Sequence, residues 1–151
     1  MNAASISAES AELCPRLIRA LAKRFSTAPA IALDMDGTIT DFPEFFRALS
    51  KSWLGMVHII TARGLSEEAK IKTAQELQEL DIYYDKLHLV RRVEDKPHIM
   101  LENNISVIFD DYDEAFFDLP IEALALKVRN CGNYENNKWY YNHTTGIKIG
   151  P

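Results

Sequence analysis

Four carboxylates follow two apolar runs of this sequence, two after each run: Asp34 and Asp36, then Asp110 and Asp111. Gly37 lets the backbone turn sharply just after Asp36, so that both carboxylates of this pair can reach one pocket. Four like charges in one pocket are costly unless a cation lies among them, and an all-oxygen set with room for water suits Mg²⁺. The sequence therefore predicts a magnesium site.

A hydroxyl group and a cation stand in comparable places further along the chain. Thr61 ends the apolar stretch Ile59–Ile60, and Lys96 comes just before Pro97 at a predicted helix start. Such groups can bind phosphoryl oxygens and offset the charge that develops during phosphoryl transfer. Lys86 is the rival for Lys96, but it precedes a predicted strand and lacks the helix-start context.

Short apolar segments alternate with amphipathic ones, which is typical of α/β proteins. The predicted strands are Ala30–Leu33, Met56–Ile60, Leu87–Val90, Ile105–Phe109 and Glu122–Val128, and the predicted helices between them are Asp41–Trp53, Ser66–Leu80, Pro97–Asn103 and Tyr112–Leu119. Short connections predict a parallel sheet covered on both faces, a three-layer Rossmann-like α/β fold. The candidate residues fall at the carboxyl ends of the strands, where such sheets bind ligands.

The two ends of the chain depart from this alternation. The apolar spacing over Ser7–Phe25 predicts an amphipathic helix, so residues 1–28 are expected to pack as a helix on a main domain of residues 29–151. The tail, residues 130–151, is rich in Asn, Tyr and Gly and is expected to form an irregular segment, a terminal hairpin or a flap near the site.

Composition limits the class of protein. With 151 residues, 47% of them hydrophobic, the chain can build one compact core. The net charge of -5, from 17 Lys+Arg against 22 Asp+Glu, argues against holding long nucleic acid by charge alone. The sequence has neither a long apolar run nor a secretory signal, which predicts a cytoplasmic protein without a membrane partner. Cys14 and Cys131 are expected to be reduced thiols, and the four histidines form no metal-binding pattern.

The stretch Asp34–Thr38, Asp-Met-Asp-Gly-Thr, resembles the DxDGT motif of the haloacid dehalogenase-like phosphohydrolases. Three further features are similar to the family's other motifs and follow in the same order: Ile59–Thr61, Lys96 and Val107–Asp111. The resemblance covers about residues 30–128. It implies that residues 29–151 form the core domain of that family, with magnesium-dependent hydrolysis of phosphomonoesters as the activity.

The resemblance also implies a role for each matched residue. Asp34 would take the phosphoryl group as an aspartyl-phosphate, and Asp36 would protonate the leaving group and then activate water. Thr61 would bind phosphate oxygens, and Lys96 would neutralise the nucleophile and the intermediate. The implied Mg²⁺ ligands are Asp34, the backbone carbonyl of Asp36, Asp110 and Asp111.

Members of this family often carry an inserted cap domain, for which this chain has no room between Asp36 and Thr61 or between Thr61 and Lys96. The chain therefore resembles the capless subgroup. An open site would admit a phosphorylated nucleotide, an oligonucleotide end or a phosphoprotein, unless a neighbouring subunit of a homo-oligomer supplied a lid. Basic side chains near the expected site could contact the phosphates or bases of a nucleotide: Arg63, Arg91 and Arg92.

Two other classes of protein share some of these features. A receiver-like phosphoacceptor signalling module also combines an acidic pocket with Mg²⁺, Thr and Lys, but its acidic pair lies on the first strand and its phosphorylated Asp on a later one. A non-catalytic binding domain could keep the fold without turnover. The order of the acidic residues favours the phosphatase, and the presence of both Asp34 and Asp36 argues against lost activity.

Overall fold

The computed structural model describes residues 27–130, 140–141 and 148–149. The predicted helix over residues 7–25, both cysteines and Trp139 lie outside the described residues. Short strands β6 (Tyr140–Tyr141) and β7 (Lys148–Ile149) pair antiparallel and form a separate two-stranded sheet.

The core of the protein is a five-stranded parallel sheet. Its strands are β1 (Ala30–Leu33), β2 (Val57–Thr61), β3 (Lys86–Leu89), β4 (Ile105–Asp110) and β5 (Leu124–Lys127). They lie in the order β3-β2-β1-β4-β5, and every neighbouring pair is parallel. The chain builds outward from β1 to β3 and then crosses to β4 on the other side. The strand order therefore reverses between β1 and β4, and this switch point is where such sheets open a crevice for ligands.

In residues 27–130, three helices cover the two faces of this sheet. Helices α1 (Pro43–Ser52) and α2 (Glu67–Glu79) bury Phe46 and Leu77 against one face, and α3 (Lys96–Glu102) buries Met100 against the other. The predicted three-layer α/β fold is confirmed. Within the described residues, no helix combines the length and the apolar character needed to cross a bilayer.

Local signals in the sequence determine where helix α2 begins. Ser66 accepts a hydrogen bond from the Ala69 N–H at 3.1 Å, so it caps the first turn as its residue type predicts. The apolar stripe of the helix is narrower than the sequence suggests, because Ile71 is exposed whereas Thr73 and Leu77 are buried. The predicted last helix, Tyr112–Leu119, is only a short 3₁₀ turn over Asp113–Phe116.

The carboxyl edge of the sheet carries no inserted domain in the described residues. Between the loop after β1 and the end of β2 the chain forms α1, and between β2 and Lys96 it forms α2, β3 and a 3₁₀ turn over Val93–Asp95. These elements pack along the sheet. The two intervals therefore add no cap over the strand ends.

Candidate functional site

A buried lysine joins the two central strands at their carboxyl ends. The Lys96 Nζ donates to Asp34 Oδ1 at 2.6 Å and to Asp110 Oδ2 at 2.5 Å. All three side chains are almost fully buried, with relative exposures of 2% for Lys96, 6% for Asp34 and 1% for Asp110. The first residue of α3 is thereby tied to the ends of β1 and β4.

The alternation of side chains along the strands explains why these three groups meet. In β1, Ile31 and Leu33 enter the core under α1 and α2, whereas Ala32 enters the core under α3. Asp34 is still extended, so its side chain follows the face of Ala32. Asp110 follows Ile108 on the same face in β4. Both carboxylates therefore lie on the face that α3 covers.

A third carboxylate completes the group. Oxygen atoms of Asp34, Asp110 and Asp111 all lie within 4.8 Å of one another, and all three residues are buried. One lysine offsets only one of these three charges. Hard oxygen donors at such spacing are the ligands that Mg²⁺ prefers, so the donor set fits the predicted ion. Asp36 is not part of this carboxylate group; its predicted contribution is through its backbone carbonyl.

The loop after β1 packs closely against Asp111. Gly37 has φ +76°, and a Cβ added there would lie 2.4 Å from Asp111 Oδ2. Asn130 Nδ2 donates to the Gly37 carbonyl at 2.7 Å and to Asp111 Oδ2 at 3.1 Å. Sequence reasoning did not find Asn130, because it lies 93 residues from Gly37 and no local motif marks it.

Burial dominates the titration of the acidic group. It raises the pKa of Asp34 to about 7, with Lys96 acting against this shift and Asp110 adding to it. Burial also raises the pKa of Asp110 and of Asp111. Burial acts to lower the pKa of Lys96, but the negative charges of Asp34 and Asp110 outweigh it, and that pKa is raised. The lysine therefore stays charged while the carboxylates remain short of positive charge.

Two threonine hydroxyls near these strand ends have no hydrogen-bond partner within the described part of the chain. Thr38 lies in the loop after β1 and is 0% exposed, and Thr61 ends β2 and is 1% exposed. The pairing of Leu33 with Ile59 places Thr61 level with Met35, one residue beyond Asp34. A buried hydroxyl without a partner costs about 1–3 kcal/mol, so both are candidates to bind a ligand or a water molecule.

Asp36 has different surroundings from Asp34, although only Met35 lies between them. Its side chain is 60% exposed and pairs with the Arg63 guanidinium, which donates from Nε at 2.7 Å and from Nη2 at 2.5 Å. The hydrogen bond to Asp36 raises the pKa of Arg63. The remaining terminal nitrogen of Arg63 contacts Glu76 Oε2 at 2.6 Å. Arg63, a predicted substrate contact, is thus already engaged by two carboxylates.

The other predicted substrate contacts lie on the loop from β3 to α3. Arg91 and Arg92 are exposed, and the Arg92 guanidinium is 3.7 Å from Asp95. The loop begins at the carboxyl end of β3 and leads directly to Lys96. Both arginines therefore belong to the same edge of the sheet as the acidic group.

Comparisons with known proteins identify no family for this chain. No family model matches it, and no curated protein matches it. One solved structure with similarity to it is a universal stress protein in complex with cAMP, with 12% sequence identity and a TM-score of 0.44. That alignment covers 69% of this chain and 98% of the stress protein.

The family expected from the Asp34–Thr38 stretch is not supported. The comparisons contradict the assignment to the haloacid dehalogenase-like phosphohydrolases and their capless subgroup, because no model of that family matches the chain. A five-residue acidic motif with glycine can arise wherever a strand ends in a tight turn. What the site can do is therefore argued from its own geometry.

The close approach of Gly37 to Asp111 predicts a large effect of Gly37→Ala. Gly64 is a matched control, because its φ is +84° but no atom lies within 4 Å of an added Cβ. Gly64→Ala should cost only the left-handed backbone penalty of roughly 1–2 kcal/mol. Gly37→Ala should cost about 1–3 kcal/mol more, through the steric clash. Urea unfolding of both variants measures the difference, and equal losses would contradict the packing described for this loop.

The raised pKa of Asp34 predicts how Asp34→Asn changes stability with pH. Because the pKa is higher in the folded protein than in the unfolded chain, the stability contributed by the proton on Asp34 is lost as pH rises through about 7. In metal-free buffer, Asp34→Asn should therefore be more stable than wild type at about pH 8, with a smaller difference at about pH 5.5. Urea unfolding with a chelator tests this. A difference independent of pH would show that Asp34 does not titrate in this range.

Proposed function

We propose that this protein is a magnesium-dependent phosphomonoester hydrolase that works through an aspartyl-phosphate intermediate. The observation that carries the proposal is the contrast between two carboxylates on one loop. Asp34 is buried and bonded to Lys96 within an acidic group, whereas Asp36 is exposed and paired with Arg63. Two carboxylates in such different surroundings can take different chemical roles.

Asp34 is assigned as the nucleophile. Of the two carboxylates that Lys96 contacts, Asp34 keeps more of its side chain exposed, 6% against 1% for Asp110, so a substrate has better access to it. Its oxygen would attack phosphorus while the bond from phosphorus to the leaving oxygen breaks. Lys96 would favour the ionised form of Asp34 and offset the charge on the transferred group, and the Thr61 hydroxyl would donate to a phosphoryl oxygen.

Asp36 is assigned as the general acid and base. In the first step Asp36, entering in its protonated form, would give its proton to the leaving oxygen, so that an alcohol departs. In the second step it would take a proton from water as the water oxygen attacks the phosphorus of the aspartyl-phosphate. The bond to Asp34 then breaks, inorganic phosphate leaves, and both carboxylates return to their starting states.

The proposed cofactor follows from the charge of the acidic group. Three buried carboxylates face one lysine, and Asp34, Asp110 and Asp111 offer oxygens close enough to bind one ion. When bound, Mg²⁺ would supply the missing positive charge for these carboxylates and for the phosphoryl group. Asp111 is held in place by Asn130, which restricts where its second oxygen can lie.

The open carboxyl edge suggests the size of the substrate. Because the intervals around Thr61 add no cap, the proposed substrates include phosphorylated nucleotides, oligonucleotide ends and phosphoproteins. The exposed side chains of Arg91 and Arg92 at this edge could contact further phosphates of such a substrate. Arg63 is left out of this set because Asp36 and Glu76 hold its guanidinium.

The purified protein should hydrolyse nitrophenyl phosphate when Mg²⁺ is present and lose this activity when the metal is chelated. Asp34→Asn should lower the rate by roughly 1,000-fold or more, because an amide cannot take the place of the carboxylate as nucleophile toward phosphorus. Asp118→Asn is the matched control, since Asp118 is exposed and lies outside the acidic group. Phosphate release under steady-state conditions measures all three effects.

The same assay separates hydrolysis from the other classes of function. Release of many phosphates per chain supports the hydrolase, whereas a single phosphoryl group retained on each chain would indicate a phosphoacceptor signalling module. Equal rates for wild type and Asp34→Asn would show that Asp34 is not the nucleophile.

A further inference from the structure

Arg63 makes a two-point contact with the proposed acid–base residue. Its Nε and Nη2 atoms donate to the two oxygens of Asp36 at 2.7 and 2.5 Å, which uses the edge of the guanidinium that matches a carboxylate. Both oxygens of Asp36 are thereby engaged by one planar group. A contact of this kind fixes the direction of the carboxylate as well as its position.

Helix α2 in turn holds Arg63. The Arg63 Nη1 atom donates to Glu76 Oε2 at 2.6 Å and lies 3.4 Å from Thr73 Oγ1. Thr73 is fully buried, and its hydroxyl donates to the Ala69 carbonyl at 2.8 Å. The orientation of Asp36 is therefore set by a rigid helix, through Arg63, although Asp36 itself lies on a loop.

Stability alone is a poor explanation for this arrangement. The Arg63 side chain is 19% exposed, but its partner Asp36 is 60% exposed, and an ion pair open to solvent on one side contributes only about 0–1 kcal/mol. Arg63 nevertheless lies on the short connection between β2 and α2, and each of its three guanidinium nitrogens contacts a carboxylate, that of Asp36 or that of Glu76. An exposed acid on a loop, by contrast, has freely interconverting rotamers unless something holds it.

We propose that Arg63 is a positioning residue that holds Asp36 in the direction needed for proton transfer to and from the leaving group. This inference rests on the proposed hydrolase function and goes beyond it, since it assigns Arg63 to Asp36 rather than to the substrate. Arg63 would touch neither the substrate nor the reacting atoms. Its effect would reach the chemistry only through Asp36.

The leaving group of the substrate reveals a positioning role. An alkyl phosphate needs a proton on its leaving oxygen, whereas nitrophenolate departs readily without one. A variant in which the Asp36 side chain changes rotamer freely should therefore hydrolyse the alkyl phosphate slowly and retain most of its rate on nitrophenyl phosphate. The ratio kcat/KM is the right quantity, because it covers the steps up to the departure of the leaving group and excludes hydrolysis of the intermediate.

The experiment compares Arg63→Met with Arg47→Met on both substrates. Arg47 is a matched control on α1 that likewise contacts a carboxylate, Glu44, and a backbone carbonyl, that of Leu80. Arg63→Met should lower kcat/KM for the alkyl phosphate by about 10-fold or more, with at most about a 3-fold loss on nitrophenyl phosphate. Arg63→Lys should fall between wild type and Arg63→Met, because it keeps the charge but loses the two-point contact.

Two further measurements make the result decisive. In an Asp36→Asn background, Arg63→Met should cause no additional loss on the alkyl phosphate, since the residue acts only through Asp36. Scalar couplings of the Asp36 β-protons, measured by NMR without substrate, should report one rotamer in wild type and averaged rotamers in Arg63→Met.

Several outcomes would overturn the inference while the hydrolase function stands. These are equal losses on both substrates, a change confined to KM, additive losses in the double variant, or unchanged couplings in Arg63→Met. A faster reaction in Arg63→Met would also overturn it, because Arg63 would then be holding Asp36 away from its task. Failure of wild type to hydrolyse either substrate would instead overturn the proposed function and this inference with it.

Discussion

Lys96 lies buried at the first residue of α3 with its ammonium group between the carboxylates of Asp34 and Asp110. These three residues come from three elements that are distant in the sequence, so the contact exists only when β1, β4 and α3 hold their observed register. Removing Lys96 would leave the buried carboxylates without compensation, and breaking a buried charged group in this way typically costs about 3–5 kcal/mol. The same three side chains therefore contribute both to the stability of the fold and to the proposed site.

The surroundings of this group also explain why one carboxylate of the loop after β1 is buried and the next one is exposed. The acidic group is enclosed by α3 on one side and by the contacts of Asn130 with Gly37 and Asp111 on another. Asp36 lies outside this buried group. Its side chain is exposed just before the turn at Gly37 and pairs with Arg63, which α2 holds. One short loop thus presents a buried carboxylate and an exposed one, which is the arrangement that separate nucleophilic and proton-transfer roles require.

The sequence predicted the parts of the structure that depend on local pattern. Apolar runs ending in acids located the strands, and parallel pairing then brought Asp34, Asp110 and Lys96 to one edge. It could not predict which partner each charged side chain would choose. Arg63 pairs with Asp36 and Glu76, and the contact with Glu76 depends on the packing of α2. Asn130 belongs to the site through a hydrogen bond to Gly37, which lies 93 residues earlier in the chain, and no local pattern predicts such a contact. The family resemblance was wrong because short motifs do not specify a family.

The central claim is that three buried carboxylates with one lysine form a binding site for a divalent cation. Isothermal titration of the metal-free protein with Mg²⁺ at about pH 8, where Asp34 is ionised, tests it most directly. The account predicts one ion bound per chain, unchanged binding in Asp118→Asn, and loss of binding in an Asp110→Asn variant whose circular dichroism shows it to be folded. Absence of binding to folded wild type, or undiminished binding in Asp110→Asn, would contradict it.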